Sequence, residues 1–143
     1  RFNDAYGHQA GDDCLQKVAE AFAATIKRPT DLVARFGGEE FALVLGGTSS
    51  AGARLIAEQA MDNVRQMKIF HKGSETSPFL TVSAGIATAF PNLEMSEIDL
   101  IRNADSALYK AKENGRDRIF FHDHLTHGPV NADVLEQDHF IID

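Results

Sequence analysis

RFGGEEFALVL, residues Arg35 to Leu45, is the stretch whose reading decides the fold. With the preceding Asp31–Ala34 it gives two short runs rich in Val, Leu and Phe, DLVARF and FALVL, joined at Gly37-Gly38. A glycine pair tolerates the positive φ angles of tight hairpin turns, so the spacing predicts a β-hairpin with Glu39 and Glu40 at its tip. The turn needs the glycines but not two adjacent acids. On their own, those acids read as a solvated hairpin tip.

Working outward, Leu15, Val18, Phe22 and Ile26 recur every three or four residues between Asp12 and Lys27, which predicts an amphipathic helix capped by Asp12 or Asp13. Pro29 and Thr30 stop it. After the hairpin, Leu55, Ile56, Ala60, Val64 and Met67 mark the buried face of a second helix. HKGSETSP (71–78) is a polar loop, and FLTVSAGIAT (79–88) alternates like a strand with a small-residue face. A third helix starts at Ser96, with Asp99 at capping-box spacing and Ile101, Ala104, Leu108 and Ala111 as its stripe. Gly115 ends it, and RIFF (118–121) is a last short strand. This order of helix, hairpin, helix, strand, helix, strand makes an α+β domain, not a parallel nucleotide-binding sheet. Neither G-x-x-x-x-G-K-[ST] nor G-x-G-x-x-G occurs.

At 143 residues the chain is one domain by size. The formal charge is −7, but residues 121–143 alone carry Asp123, Asp133, Glu136, Asp138 and Asp143 without Lys or Arg. Residues 1–120 keep 14 basic and 16 acidic side chains, a net of −2 with no basic stripe, which argues against a duplex nucleic-acid binder. No apolar run approaches the roughly 20 residues that span a bilayer. The single cysteine, Cys14, reads as a small core residue, and a reducing cytoplasmic setting is the expectation. The polar segment 122–143 reads as an acidic tail or linker. Its His122, His124 and His127 have a spacing that could hold a metal, but in such a segment they read as incidental.

Two further stretches change the reading of the hairpin acids. NDAYGHQAGDD (Asn3–Asp13) gathers polar and glycine residues ahead of a helix, and YKAKENGRDR (Tyr109–Arg118) clusters Lys110, Lys112, Arg116 and Arg118 at a helix end. Taken in order, FNDAYGHQAGDDCL, RPTD, LVARFGGEEF, TVSAGIA and ADSALYKAKENGRDR resemble the GGDEF domain of diguanylate cyclases over residues 1–121.

The resemblance implies a palm-like fold of the nucleotidyl-cyclase and polymerase kind, with a ferredoxin-like core: a mainly antiparallel sheet wrapped by helices. It implies that two GTP molecules on facing copies of the domain condense to cyclic di-GMP, releasing two pyrophosphates, with Mg²⁺ or Mn²⁺ as cofactor. By the same resemblance, Glu39 is a metal ligand and Glu40 shapes the site or takes up the 3′-hydroxyl proton. Gly37 and Gly38 let the backbone approach the phosphates, Asn3 and Asp12 read the guanine edge, and Lys112 and Arg116 hold the terminal phosphates from one helical face. Arg28 and Asp31 of RPTD match an R-x-x-D product-feedback site; the five strand residues that follow span roughly 17 Å, which separates it from the hairpin tip. The family's first strand, with a second metal-ligating aspartate, would precede Arg1, so the resemblance implies a domain truncated at its N-terminus. Asp117 stands where the family commonly has Asn. Arg65 is not assigned to the site. Two rival readings are a catalytically silent sensor of cyclic di-GMP or GTP, and an interaction module docking through the acidic tail.

Overall fold

The hairpin forms around a two-residue loop. In the computed structural model, which describes residues 2–90 and 95–122 and the backbone of 137–142, β1 (Leu32–Gly37) pairs antiparallel with β2 (Glu40–Gly46). Leu32 lies opposite Val44, and Gly37 lies opposite Glu40. Gly38 adopts φ 53°, which explains the glycine there. Phe36 is an extra residue between the Arg35–Phe41 and Gly37–Glu40 pairs, a bulge of the kind that sharpens twist beside functional sites. One expectation is corrected: only Glu39 sits in the loop, because pairing with Gly37 makes Glu40 the first residue of β2.

The sheet has five strands in the order β1-β2-β5-β3-β4, where β3 is Ala84–Ala89, β4 is Ile119–Phe121 and β5 is Gln137–Ile142. β5 is antiparallel to both β2 and β3, and only the β3–β4 pair is parallel. The mainly antiparallel, α+β expectation therefore holds. The segment read as tail contributes the central strand over Gln137–Ile142, because a place between two strands satisfies its backbone on both sides. Residues 123–136, including His124 and His127, lie outside the described residues.

Two helices cover one face of the sheet, α2 (His8–Thr25) and α3 (Ser50–Gln66); α4 (Glu97–Glu113) covers the other. Phe41, Leu43, Leu45, Ala84 and Ile86 pack against Val18 and Phe22 of α2 and Ala53, Ala57, Ala60 and Val64 of α3. Ala87 meets Leu100, Ala104 and Leu108 of α4 on the opposite face. β3 is thus buried on both sides, which is why its small-residue face is small: an alanine Cβ at Gly85 would lie 2.2 Å from the Ala104 carbonyl oxygen and 2.2 Å from the Leu108 nitrogen.

Three sequence expectations shift here. The first long helix starts at His8, not Asp12, behind a short α1 (Phe2–Tyr6), and its N-cap is Gly7 at φ 84° without a side-chain cap. The glycine breaks the chain between two helical segments, so Asp12 and Asp13 lie inside α2. On α3 the buried stripe runs through alanines, Ala53, Ala57 and Ala60, then Met61 and Val64, which lets the helix approach closely and turns Leu55 out to solvent at 67% exposure. The strand in 79–88 begins only at Ala84. The Ser96–Asp99 capping box forms as expected, and the Ser96 hydroxyl and N–H hold the Asp99 carboxyl below its ordinary range. Cys14 is buried, and burial pushes its thiol pKa up, as befits an inert core cysteine.

Candidate active site

A cleft of about 670 Å³ opens where α1, the start of α2, the hairpin turn, the 71–78 loop and the end of α4 meet. Asn3, Asp12, Gly38, Glu39, Lys112 and Arg116 all line it. Residues more than a hundred positions apart in sequence are therefore brought to one place, acids and cations among them.

Each side chain is placed by a local feature. Asn3 belongs to α1, whose carbonyl accepts the Gly7 N–H at 2.7 Å as the chain turns into α2. Its amide oxygen lies 1.6 Å from where a Cβ on Gly11 would be, so any side chain at position 11 would make the Asn3 amide shift from its place against α2. Asp12 follows directly. Glu39 is presented by the two-residue loop, and Arg35 staples that loop by donating from Nε and Nη2 to the Gly38 carbonyl at 2.9 and 2.6 Å. Lys112 lies in the last turn of α4.

Arg116 arrives differently from expectation. Because α4 ends at Glu113 with Asn114 as C-cap, Lys112 and Arg116 are not on one helical face. Instead Gly115, Arg116 and Asp117 all take positive φ (110°, 60° and 48°), and the Arg116 N–H reaches back to the Ala111 carbonyl at 3.0 Å. A left-handed turn carries Arg116 to the same cleft that the last helical turn gives to Lys112. Left-handed conformations in two non-glycine residues cost about 1–3 kcal/mol each and persist only where the surroundings hold them.

The other proposed site residues lie elsewhere. Gly37 and Glu40 flank the loop in the hairpin ladder and do not line the cleft. Arg28 and Asp31 sit at the opposite end of the hairpin, beyond the Leu32–Val44 pair. There Arg28 donates to both Asp31 carboxylate oxygens at 3.1 and 2.9 Å, to the Gly46 carbonyl at 2.9 Å and to the Thr48 hydroxyl. The hydrogen bonds that the Asp31 carboxylate accepts from it raise the Arg28 pKa.

The sequence reading missed Arg35 and the loop residues His71, Ser74, Glu75 and Thr76, which close one side of the cleft. Arg35 could have been suspected from its place just before the glycines. Nothing in HKGSETSP distinguishes a cleft wall from any other polar loop.

Sheet, flanking helices and cleft define a palm domain of the nucleotidyl-cyclase type. Residues 1–118 match the family model described as diguanylate cyclase, GGDEF domain, and the chain belongs to that family. It is 38% identical over 117 residues to diguanylate cyclase A of Treponema denticola, covering 82% of this chain and 30% of that protein. Over 119 residues it is 41% identical to the diguanylate cyclase DgcP of Pseudomonas aeruginosa, covering 83% of this chain and 17% of the relative. The chain thus spans less than a third of the length of either relative. Among solved structures it superposes with a TM-score of 0.73 on the GGDEF domain of DgcB from Caulobacter crescentus in complex with c-di-GMP, at 30% identity and covering 85% of this chain and 70% of that one. The active GGEEF domain of a diguanylate cyclase from Vibrio cholerae also superposes with a TM-score of 0.73, at 32% identity and covering 86% and 75%. Among the described residues, no helix is long and apolar enough to cross a membrane.

Proposed function

We propose that this domain binds GTP in the cleft and, with a second copy facing it, condenses two GTP molecules to cyclic di-GMP with release of two pyrophosphates. The observation that carries the reading is the convergence of Asn3, Asp12, Gly38, Glu39, Lys112 and Arg116 on one cleft, whose volume falls within the roughly 300–1,000 Å³ of small-molecule sites. An amide and a carboxylate suit guanine, which offers an acceptor and N–H donors. Lys112 and Arg116 suit phosphate oxygens, and Gly38 leaves the loop backbone open to them. A cleft of this size takes one nucleotide, so the second comes from the facing copy, and each 3′-hydroxyl attacks the α-phosphate of the other GTP.

Among the described residues no group of three His, Cys, Asp or Glu side chains converges. A carboxylate at Glu39 together with the triphosphate's own oxygens is a donor set Mg²⁺ accepts, because it binds through one or two carboxylates plus substrate phosphates. When bound, the ion supplies positive charge to the triphosphate. Glu40 at the base of the loop supports the turn. Incubation with GTP and Mg²⁺, followed by chromatography for cyclic di-GMP and pyrophosphate, tests the reading. GTP binding without either product points instead to the silent sensor.

Base recognition has its own test. Gly11→Ala pushes a Cβ into the Asn3 amide, so guanine selection should suffer although neither Asn3 nor Asp12 is altered. Competition between GTP and ATP should show the parent's preference for GTP reduced by about tenfold or more in this variant, since losing a well-placed polar contact sacrifices discrimination. An unchanged preference would mean that Asn3 does not read the base.

We place product feedback at Arg28 and Asp31. They lie at the far end of the hairpin from Glu39, so product bound there acts at a distance. Arg28→Ala should weaken cyclic di-GMP binding, by about 1–3 kcal/mol for the loss of a bidentate donor, and relieve inhibition. The initial rate, taken before product accumulates, should stay the same. Calorimetry showing parent-like cyclic di-GMP affinity would reduce RPTD to a helix stop.

A further inference from the structure

The turn that brings Arg116 to the cleft is held from outside the cleft. Three consecutive residues at positive φ, two of them with side chains, form a segment with no intrinsic preference for its shape. Several contacts fix it. The Arg116 N–H bonds the end of α4 at the Ala111 carbonyl, and the Asp117 N–H bonds the Ser83 hydroxyl at 3.2 Å. The Arg118 carbonyl accepts the Ala84 N–H at 3.0 Å. The Arg118 Nε donates to the Arg116 carbonyl at 3.0 Å, and a longer-range contact comes from α3: Arg65 donates from Nε at 3.0 Å and from Nη2 at 2.7 Å to one oxygen of Asp117. Its third nitrogen, Nη1, donates to Asp62 at 2.5 Å, one turn back on the same helix, which fixes the guanidinium's direction.

Arg65 itself does not line the cleft, whereas Arg116, adjacent to Asp117, does. We infer that Arg65 is a positioning residue: through its ion pair with Asp117 it holds the left-handed turn that carries Arg116 into the cleft, where Arg116 meets the phosphates of a nucleoside triphosphate. This rests on the nucleotide reading above. The tie reaches across 52 positions of sequence and links α3, which otherwise serves the core, to the phosphate end of the site. Asp117 is the matching half of the device. Its single accepting oxygen takes both Arg65 bonds, so an asparagine with its amide oxygen in that place keeps the geometry and an alanine does not.

The test compares ligands that share the base but differ in phosphate. Affinities of the parent, Arg65→Ala, Asp117→Ala, Asp117→Asn and the Arg65→Ala/Asp117→Ala double variant are measured for GTP with Mg²⁺, for guanosine and for inorganic triphosphate. Each alanine variant should bind GTP and triphosphate about tenfold more weakly, in the range of coupled polar pairs, and bind guanosine like the parent. The double variant should be no weaker than either single one, and Asp117→Asn should stay near the parent. A general loss of structure would lower guanosine binding as well, which separates positioning from stability. If Arg65→Ala does not fold, the contrast between Asp117→Ala and Asp117→Asn carries the same comparison. Parent-like triphosphate affinity in both alanine variants overturns the inference and leaves the nucleotide reading intact. A parent that binds triphosphate without preferring GTP overturns the nucleotide reading while the Arg65 comparison still stands. A parent that binds neither overturns both.

Discussion

Gly85→Ala should destabilise the fold by about 3 kcal/mol or more, at the upper end of overpacking costs. The added Cβ would sit 2.2 Å from the Ala104 carbonyl oxygen, 2.2 Å from the Leu108 nitrogen and 2.8 Å from the Leu108 Cα. All three are helix backbone atoms, so no side chain can rotate aside, and α4 itself has to move off β3. That helix also supplies Leu100, Ala104 and Leu108 to the core on its side of the sheet and Lys112 to the cleft. One methyl group should therefore disturb the packing of α4 and the cleft wall together. Urea denaturation of parent and variant gives the number directly. A difference below about 0.5 kcal/mol, typical of uninvolved surface positions, would mean that α4 does not rest on Gly85.

Glu39→Gln should lower turnover at least about a hundredfold while leaving the fold and GTP binding largely in place. Glutamine keeps the volume and the two-residue loop, which depends on Gly38 and on the Arg35 staple and not on the Glu39 carboxylate. It removes one negative charge at the position where a divalent ion would meet the triphosphate. The rate of cyclic di-GMP formation, with a parallel GTP titration, separates the two effects. Near-normal product formation would take the hairpin acid out of the chemistry. A loss of GTP affinity as large as the loss of rate would make Glu39 a binding residue and no more.

These two variants test what could and could not be read along the chain. Local periodicity sufficed for the amphipathic character of α2 and α4, because one face of each lies on the core and its apolar residues must recur at the helical repeat. On α3 it found Ala60 and Val64 in the core, with Ile56 and Met67 packed against it, and misread only Leu55, the kind of residue a pattern counts as core. The helix instead seats itself by its smallest side chains, Ala53, Ala57 and Ala60, since closeness of backbones outweighs one large apolar contact. The start of α2 was misplaced because Asp12 and Asp13 are good caps by type. The break is made by Gly7, whose φ of 84° depends on how α1 folds back to set Asn3 over Gly11.

By itself the sequence determined the hairpin, its Gly38 turn, the capping box at Ser96, and the family to which the chain belongs. These are matters of short range, in which a residue's allowed φ, its capping oxygen or its place in a motif acts on near neighbours. The tertiary structure alone decided how the charged groups that the resemblance assigns to one site reach a common cleft, and it added Arg35 and Glu75 to them. It separated Glu39 from Glu40, gathered the 71–78 loop to the site, and set Gln137–Ile142 into the middle of the sheet. It also brought Lys112 and Arg116 together by a route no helical spacing describes, a left-handed turn tied to α3 by Arg65. The physical reason is that such a turn is unfavourable for its own residues, and contacts from distant parts of the chain help make it the stable choice.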